Sequence, residues 1–208
     1  MKIDLQNSGY LYQVSDNDIF YKNKKLNIPS ILIVGNHGKV FNQGTTSFCG
    51  PYTIKTIIES QFKNINKDIN LDVRDLYNKR TNKPQEGMIP RDLFKILKEE
   101  GVKCGKNNVC KLLSYERLQI QDIKEALIIN GPVFLALKVC SNELEFWKGN
   151  NNLGGHAIAL IGYNDNKKTF LLKNSYGIEW GNGGYIDISY NDLSNALLEA
   201  WTCESKLM

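Results

Sequence analysis

Only two of the 208 residues are histidines, His37 and His156, and that scarcity removes whole classes of chemistry at the outset. A zinc site built on paired histidines has no material. The five cysteines do not replace it, because Cys104 and Cys110 are spaced C-x5-C instead of the C-x2-4-C of most zinc sites. No metal and no cofactor are therefore expected. Charge of one sign is also scarce: 26 basic against 22 acidic residues leave a formal net charge of +4. The lysines are scattered (Lys22, Lys24, Lys25; Lys103, Lys106; Lys167, Lys168) and not interleaved with aromatics, so they read as a solvated surface and not as a nucleic-acid stripe. No apolar run approaches the roughly 18 residues of a membrane span. The start, MKIDLQNSGYLYQ, lacks the apolar core of a secretory signal. An intracellular, reducing setting is the expectation, with Cys104, Cys110, Cys140 and Cys203 as free thiols in preference to two disulfides. Internal repeats are absent, and the one biased stretch is the asparagine run at 150–152. With 42% hydrophobic residues the chain has the make-up of an ordinary globular protein, long enough for a sizeable core in one compact unit.

What is present is concentrated in three short stretches: QGTTSFCGPY around Gln43 and Cys49, GGHAIALIGY around His156, and KNSYGIEWGNGGYI around Asn174. A thiol, an imidazole and an amide that orients the imidazole form a reaction centre when they converge. Taken singly, a cysteine at a helix is usually a small buried hydrophobe, and a histidine opening a strand is usually a satisfied core or surface residue. Spacing tips the balance towards catalysis. HAIALIGY alternates as a strand, NDNKK reads as a turn, and TFLLKN as the returning strand. A turn centred at Asp165–Asn166 makes paired residue numbers sum to about 331. His156 then faces residue 175, and Asn174 lies within about one residue of it, close enough for its side-chain oxygen to accept from the imidazole.

Cys49 stands where a helix begins. Pro51 suits a first helical turn, because its missing N–H is one that the turn leaves unpaired, and Ile54, Ile57, Ile58 and Phe62 follow with helical spacing. A thiol at a helix start feels the positive end of the dipole, which favours thiolate, as does a neighbouring imidazolium. Gln43, across a turn containing Gly44, brings an amide to the same point; with the Cys49 backbone N–H it makes a two-donor oxyanion hole.

These stretches resemble the papain family (C1) of cysteine peptidases over most of the chain. Gln43-Gly44 followed by Cys49 matches the family's oxyanion glutamine and nucleophile. Gly155-His156-Ala157 leading to Gly162-Tyr163 matches the histidine block. Lys173 to Gly177, then Trp180-Gly181 and Gly184-Tyr185-Ile186, matches the asparagine block. The resemblance implies a polypeptide substrate, extended along the backbone near Gly87, with Met88, Ile89, Val133 and Ala157 lining an apolar pocket for the residue two before the scissile bond. For Met88 and Ile89, ordinary core is an equal alternative. The opening, GYLYQVSDNDIFY then Ile28-Pro29-Ser30, is similar to short bacterial and viral members without a long propeptide, so a virion-associated setting joins the intracellular one. A monomer is the working assumption.

Departures from the pattern are specific. Gly50 and Tyr176 stand where the family usually has tryptophan, Thr46 stands at a frequent disulfide position, and the loop GNNNLGG before His156 is short. CGPY is also similar to the related C39-type peptidases, but their orienting residue is aspartate, and Asn174 argues against them.

The fold class implied is α+β: a papain-like two-lobe fold, with a helical lobe, an antiparallel β-sheet or barrel lobe, and the site in the cleft between. Residues 1–27 read as a short extension and 28–208 as the peptidase domain, 28–125 mainly helical and 126–208 mainly β. Helices are expected over Pro51–Phe62, Asp72–Arg80 and Arg91–Glu100, the last stopped by Gly101, and from an N-cap at Asp122 to Ile129. Strands are expected at VFLALKV, HAIALIGY, TFLLKN and YIDIS. The function expected is hydrolysis of peptide bonds through Cys49 and His156. Two alternatives stay open: an acyl transferase passing the acyl group to an amine, and a catalytically weak peptide binder. The aromatics of the extension (Tyr10, Tyr12, Phe20, Tyr21) serve either as a clamp on the domain or as a regulator over the cleft, the clamp being favoured.

Overall fold

A computed structural model describes residues 18–208 apart from Asn23 and Lys25. Tyr10 and Tyr12 lie outside the described residues. In chain order the elements are β1 (Ile31–Ile33), α1 (Cys49–Asn64), α2 (Val73–Asn78), α3 (Pro90–Glu99), β2 (Val102–Cys104), β3 (Asn108–Arg117), α4 (Ile123–Asn130), β4 (Val133–Val139), β5 (Gly154–Asn164), β6 (Thr169–Lys173), β7 (Tyr185–Ser189), α5 (Tyr190–Ala196) and β8 (Leu197–Leu207). One antiparallel sheet runs β2-β3-β8-β4-β5-β6-β7, with β1 pairing on β5. The architecture is α+β. No described helix is long and apolar enough to cross a membrane.

Each helix has a local cause. α1 buries Ile54, Ile57, Ile58 and Phe62 as their spacing predicts, and starts two residues before Pro51. Pro51 thus falls within the first turn, where no intrahelical bond needs its N–H. α2 is capped by Asp72, whose carboxylate accepts from the N–H groups of Arg74 and Asp75. α3 ends at Glu99, and Gly101 follows at φ +80. A Cβ there would lie 2.5 Å from Val109, so only glycine serves. Asp122 is not the side-chain cap expected for α4. Its carboxylate instead accepts from the Gln119 N–H, closing a capping box on a 3-10 turn over Ile120–Asp122 that leads into the helix.

Two cores follow from strand alternation. Along β4, Val133, Leu135, Leu137 and Val139 join Ile158, Leu160, Phe146, Trp147 and Trp180 in one cluster. Phe134 and Ala136 face the other way, into a cluster with α1, α3, Cys49, Met88, Ala157 and Trp201. β4 is buried on both faces over Val133–Leu137, which is why those five residues read as a continuous apolar run. Three strands, β1, β2 and β3, fall in the half expected to be mainly helical. β3 and β8 carry alternating polar residues and pair across the chain, Arg117 with Trp201 and Cys110 with Leu207.

The β5–β6 hairpin forms, with its register later than expected. Tyr163 pairs with Phe170, a register shift follows between Leu160 and Gly162, and the ladder ends at Ala159↔Lys173. Gly162 lets β1 lie close on the other side of β5: a Cβ there would lie 2.6 Å from the Leu32 carbonyl. Asn174 leaves the ladder and donates its backbone N–H to Gly184.

Candidate active site

Convergence of the four predicted residues begins at the backbone. Gln43 donates its N–H to the Ser175 carbonyl (2.8 Å), and Gly177 donates to Phe41, so the segment before α1 is laid against the segment after β6. Lys173 reinforces the join: its buried ammonium donates to the carbonyls of His37 and Gly38. Burial pushes Lys173 down to about 8.

His156, near the start of β5, bonds through Nε2 to Asn174 Oδ1 at 2.8 Å. The same oxygen accepts the Ser175 N–H at 2.8 Å, which fixes which end of the amide faces the imidazole. An amide oxygen only accepts, so Nε2 carries a proton. Tyr176 stacks on the imidazole, with ring centroids 4.8 Å apart and planes 20° apart, and its hydroxyl lies 3.1 Å from Nδ1. Phe146 meets the imidazole edge-on at 5.4 Å, and Trp180 backs Tyr176 at 6.2 Å.

Cys49 is the first residue of α1. Its sulfur faces the backbone N–H groups of Ala157, Gly50 and Cys49 itself, so it lies against the residue that follows His156. Gln43 holds its amide between two partners: Ser175 Oγ donates to Oε1 at 2.6 Å, and Nε2 donates to the Thr46 carbonyl at 2.7 Å. The second hydrogen on Nε2 remains for another acceptor.

Cys49 and His156 are 0% and 1% exposed. Burial pushes the thiol up to about 11, outweighing the three backbone N–H groups that pull it down. The helix-start effect expected from the sequence is thus present and smaller than desolvation. Burial pushes His156 down to about 4, against the Asn174 bond. Both shifts favour uncharged groups, and attraction between a thiolate and an imidazolium opposes both.

The pocket residues divide. Met88 and Ala157 share the cluster of Cys49. Ile89 is half-buried at the start of α3. Val133 lies in the other cluster, because odd positions of β4 face away from Cys49. Ala136, paired directly with Ala157, occupies the Cys49 side in its place. Gly87 commits its N–H to the Tyr77 hydroxyl at 3.0 Å. Its carbonyl also receives Asn82 Nδ2 at 3.3 Å. Gly50 packs against α3: a Cβ there would lie 3.3 Å from Leu93 Cδ1, and Leu93 fills the space beside it.

Ser175, Ala136 and Phe146 were missed by sequence reasoning. Ser175 stood inside the asparagine motif and could have been suspected there. Ala136 and Phe146 carry no local signal. Two cavities of about 710 and 760 Å³ lie away from this cluster, one between β1, α1 and α4, the other beside α2. Among the described residues no group of histidine, cysteine and carboxylate side chains could hold a metal ion.

A sequence profile of the papain family cysteine proteases matches residues 52–202. The chain is 29% identical over 196 residues to a viral cathepsin of Cydia pomonella granulosis virus, covering 81% of this chain and 59% of that one. An uncharacterized peptidase C1-like protein of Acanthamoeba polyphaga mimivirus is 37% identical over 76 residues, 36% of this chain and 20% of that one. The chain thus spans less than two thirds of these relatives. Among solved structures, xylellain, a cysteine protease from Xylella fastidiosa, superposes with a TM-score of 0.80 at 18% identity, covering 95% and 96% of the two chains. Procathepsin B of Trypanosoma congolense gives 0.83 at 13% identity, covering 98% and 89%. With three quarters of its length matched by the profile and its fold shared with these proteases, the chain belongs to the papain family of cysteine proteases.

Proposed function

We propose that the protein is a peptidase that hydrolyses peptide bonds through Cys49, with His156 as base and acid, Asn174 as the orienter of His156 and Gln43 as oxyanion donor. The observation that carries this reading is the 2.8 Å bond from His156 Nε2 to Asn174 Oδ1 beside a cysteine at a helix start. It leaves Nδ1 as the nitrogen that gains and loses a proton.

The chemistry follows from these roles. His156 Nδ1 takes the Cys49 proton, and the sulfur attacks the peptide carbonyl carbon. The resulting oxyanion accepts from the second Gln43 Nε2 hydrogen and the Cys49 N–H. Its collapse breaks the C–N bond, and the leaving amine takes the proton from His156. Water, deprotonated by His156, attacks the thioester; its collapse expels the sulfur, which recovers the proton. A substrate held in the site adds its own dipoles, which act together with the thiolate–imidazolium attraction against the cost of burial.

We place the peptidase domain at 28–208, with the described residues of the extension before it as a clamp. Asp18 is paired with Arg91 and Arg117 at 2.7 Å, and the Glu125 carboxylate accepts the N–H groups of Lys24 and Leu26. These contacts favour a clamp over a regulator. None of the five cysteines is in a disulfide, which supports a reducing intracellular or virion-associated setting.

The test is selective alkylation combined with hydrolysis. Iodoacetamide should label Cys49 faster than Cys104 or Cys203, and Cys49→Ala should remove hydrolysis of a peptide substrate. Equal labelling with no hydrolysis would leave a peptide binder. An acyl–amine product formed on adding an amine, at the expense of free acid, would make the enzyme a transferase.

A further inference from the structure

We propose that the Tyr176 hydroxyl is a positioning group for His156: lying over the imidazole at Nδ1, its oxygen stabilises the imidazolium and so the charged form of the pair with Cys49. This rests on the proposed roles of Cys49 and His156 and adds a determinant of their charge state.

The argument starts from Asn174. Its Oδ1 accepts from both Ser175 N–H and His156 Nε2, so Nε2 keeps its proton in either charge state of the ring. Charge therefore appears and disappears at Nδ1. Tyr176 Oη lies 3.1 Å from that atom. The two rings are only 20° from parallel, so the oxygen approaches over the face of the imidazole and leaves the in-plane lone pair of Nδ1 for another partner. It does not compete with Cys49 for the proton. It acts on the charge of the ring.

A hydroxyl is a rotor. Over a neutral imidazole it turns its hydrogen inward, and over an imidazolium it turns its oxygen inward. The attraction of the oxygen's dipole for a full charge on the ring exceeds that of the hydroxyl hydrogen for the face of a neutral ring, so the net effect favours the imidazolium. Tyr176 is half-buried, which leaves room for its hydrogen to turn outward. Its ring is held in place by Trp180 and by the backbone bridge from Asn42. Among the described residues, Asn174 and Tyr176 after β6 and Phe146 before β5 border the imidazole, and Cys49 lies against the next residue, Ala157; none of these carries a fixed charge. In such surroundings one oxygen at Nδ1 weighs heavily.

Tyr176→Phe keeps the stacked ring and removes only the oxygen. Tyr176→Trp does the same with a larger ring. The rate of Cys49 alkylation by iodoacetamide, read residue by residue by mass spectrometry across pH, reports thiolate. The midpoint should rise by about one pH unit in both variants, a roughly tenfold slower reaction on the acid side. The upper limb of kcat/KM against pH should fall by a similar amount. A merely structural loss would lower the rate at every pH and leave the midpoint in place. An unchanged or lowered midpoint, with hydrolysis intact, overturns the role of Tyr176 alone. Alkylation of wild-type Cys49 no faster than Cys104 overturns the proposed function and this role together.

Discussion

Ser175 Oγ donates a 2.6 Å hydrogen bond to Gln43 Oε1, tying the residue after Asn174 to the amide proposed as the oxyanion donor. Both groups are buried, so the bond is not shared with solvent. One residue, through its backbone N–H and its hydroxyl, thereby sets both the Asn174 amide and the Gln43 amide. Gln43→Ala should lower kcat by about 10²–10³ with a small change in KM. Ser175→Ala should cost about tenfold, since Gln43 keeps its bond to Thr46. Alkylation of Cys49 by iodoacetamide forms no oxyanion, so Gln43→Ala should leave that rate within about twofold. A Gln43→Ala variant with full kcat would remove it from the oxyanion hole.

Asn174→Ala removes the oxygen that accepts from His156 Nε2. A buried imidazole N–H then has no acceptor, a cost of about 1–3 kcal/mol. Hydrolysis should fall by about 10–100-fold. Far-ultraviolet circular dichroism should stay that of the parent, since the backbone N–H of Asn174 still reaches Gly184.

Gly50 invites the thought that introducing a tryptophan there would raise the proposed activity. The packing predicts the reverse. A Cβ at Gly50 already meets Leu93 at 3.3 Å, and an indole would need Leu93 to move out of a core where it is 0% exposed. Gly50→Trp should destabilise by about 1–3 kcal/mol, seen as a lowered Tm. Gly50→Trp with Leu93→Ala should recover part of it. A rise in Tm for the single variant would show that α3 does not fill this space.

Asp18 bridges α3 and β3 through Arg91 and Arg117. Burial raises its carboxyl, but the bonds to the two guanidiniums hold it below the ordinary range. A folded-state value below the unfolded one means the stabilisation is complete above about pH 4 and is lost as pH falls through the lowered value. Asp18→Asn should cost about 3 kcal/mol at pH 7, with the difference from the parent shrinking towards acid. Chemical unfolding at pH 7 and pH 3 measures it. A difference constant with pH would assign the loss to packing instead of charge.

Local pattern made much of the proposed site legible. Cys49, His156, Asn174 and Gln43 each sat in a motif whose secondary structure follows from nearby residues, such as the apolar repeat behind Pro51 and the alternation of HAIALIGY. β4 was readable to its ends because six of its seven residues are buried, which leaves few alternatives. Val133 shows where this stops. The strand was recognised, but which of its faces meets Cys49 depends on its pairing with β5 and β8, and that pairing puts Ala136 opposite Ala157. β3 and β8 were missed for a related reason: polar and apolar residues mix along both, and each is stabilised by the other across a long stretch of chain.

Sequence alone determined the chemical groups, the helix start that carries Cys49, and the hairpin that brings Asn174 towards His156, because each depends on residues within about a dozen positions. Tertiary structure decided the rest. It placed the Tyr176 oxygen over Nδ1, assigned Ser175 to Gln43, turned Val133 away, anchored Asp18 between two arginines, and set burial against charge at Cys49 and His156. These features depend on distances between segments joined only by packing, and desolvation is a property of everything that surrounds a group, which no local pattern records.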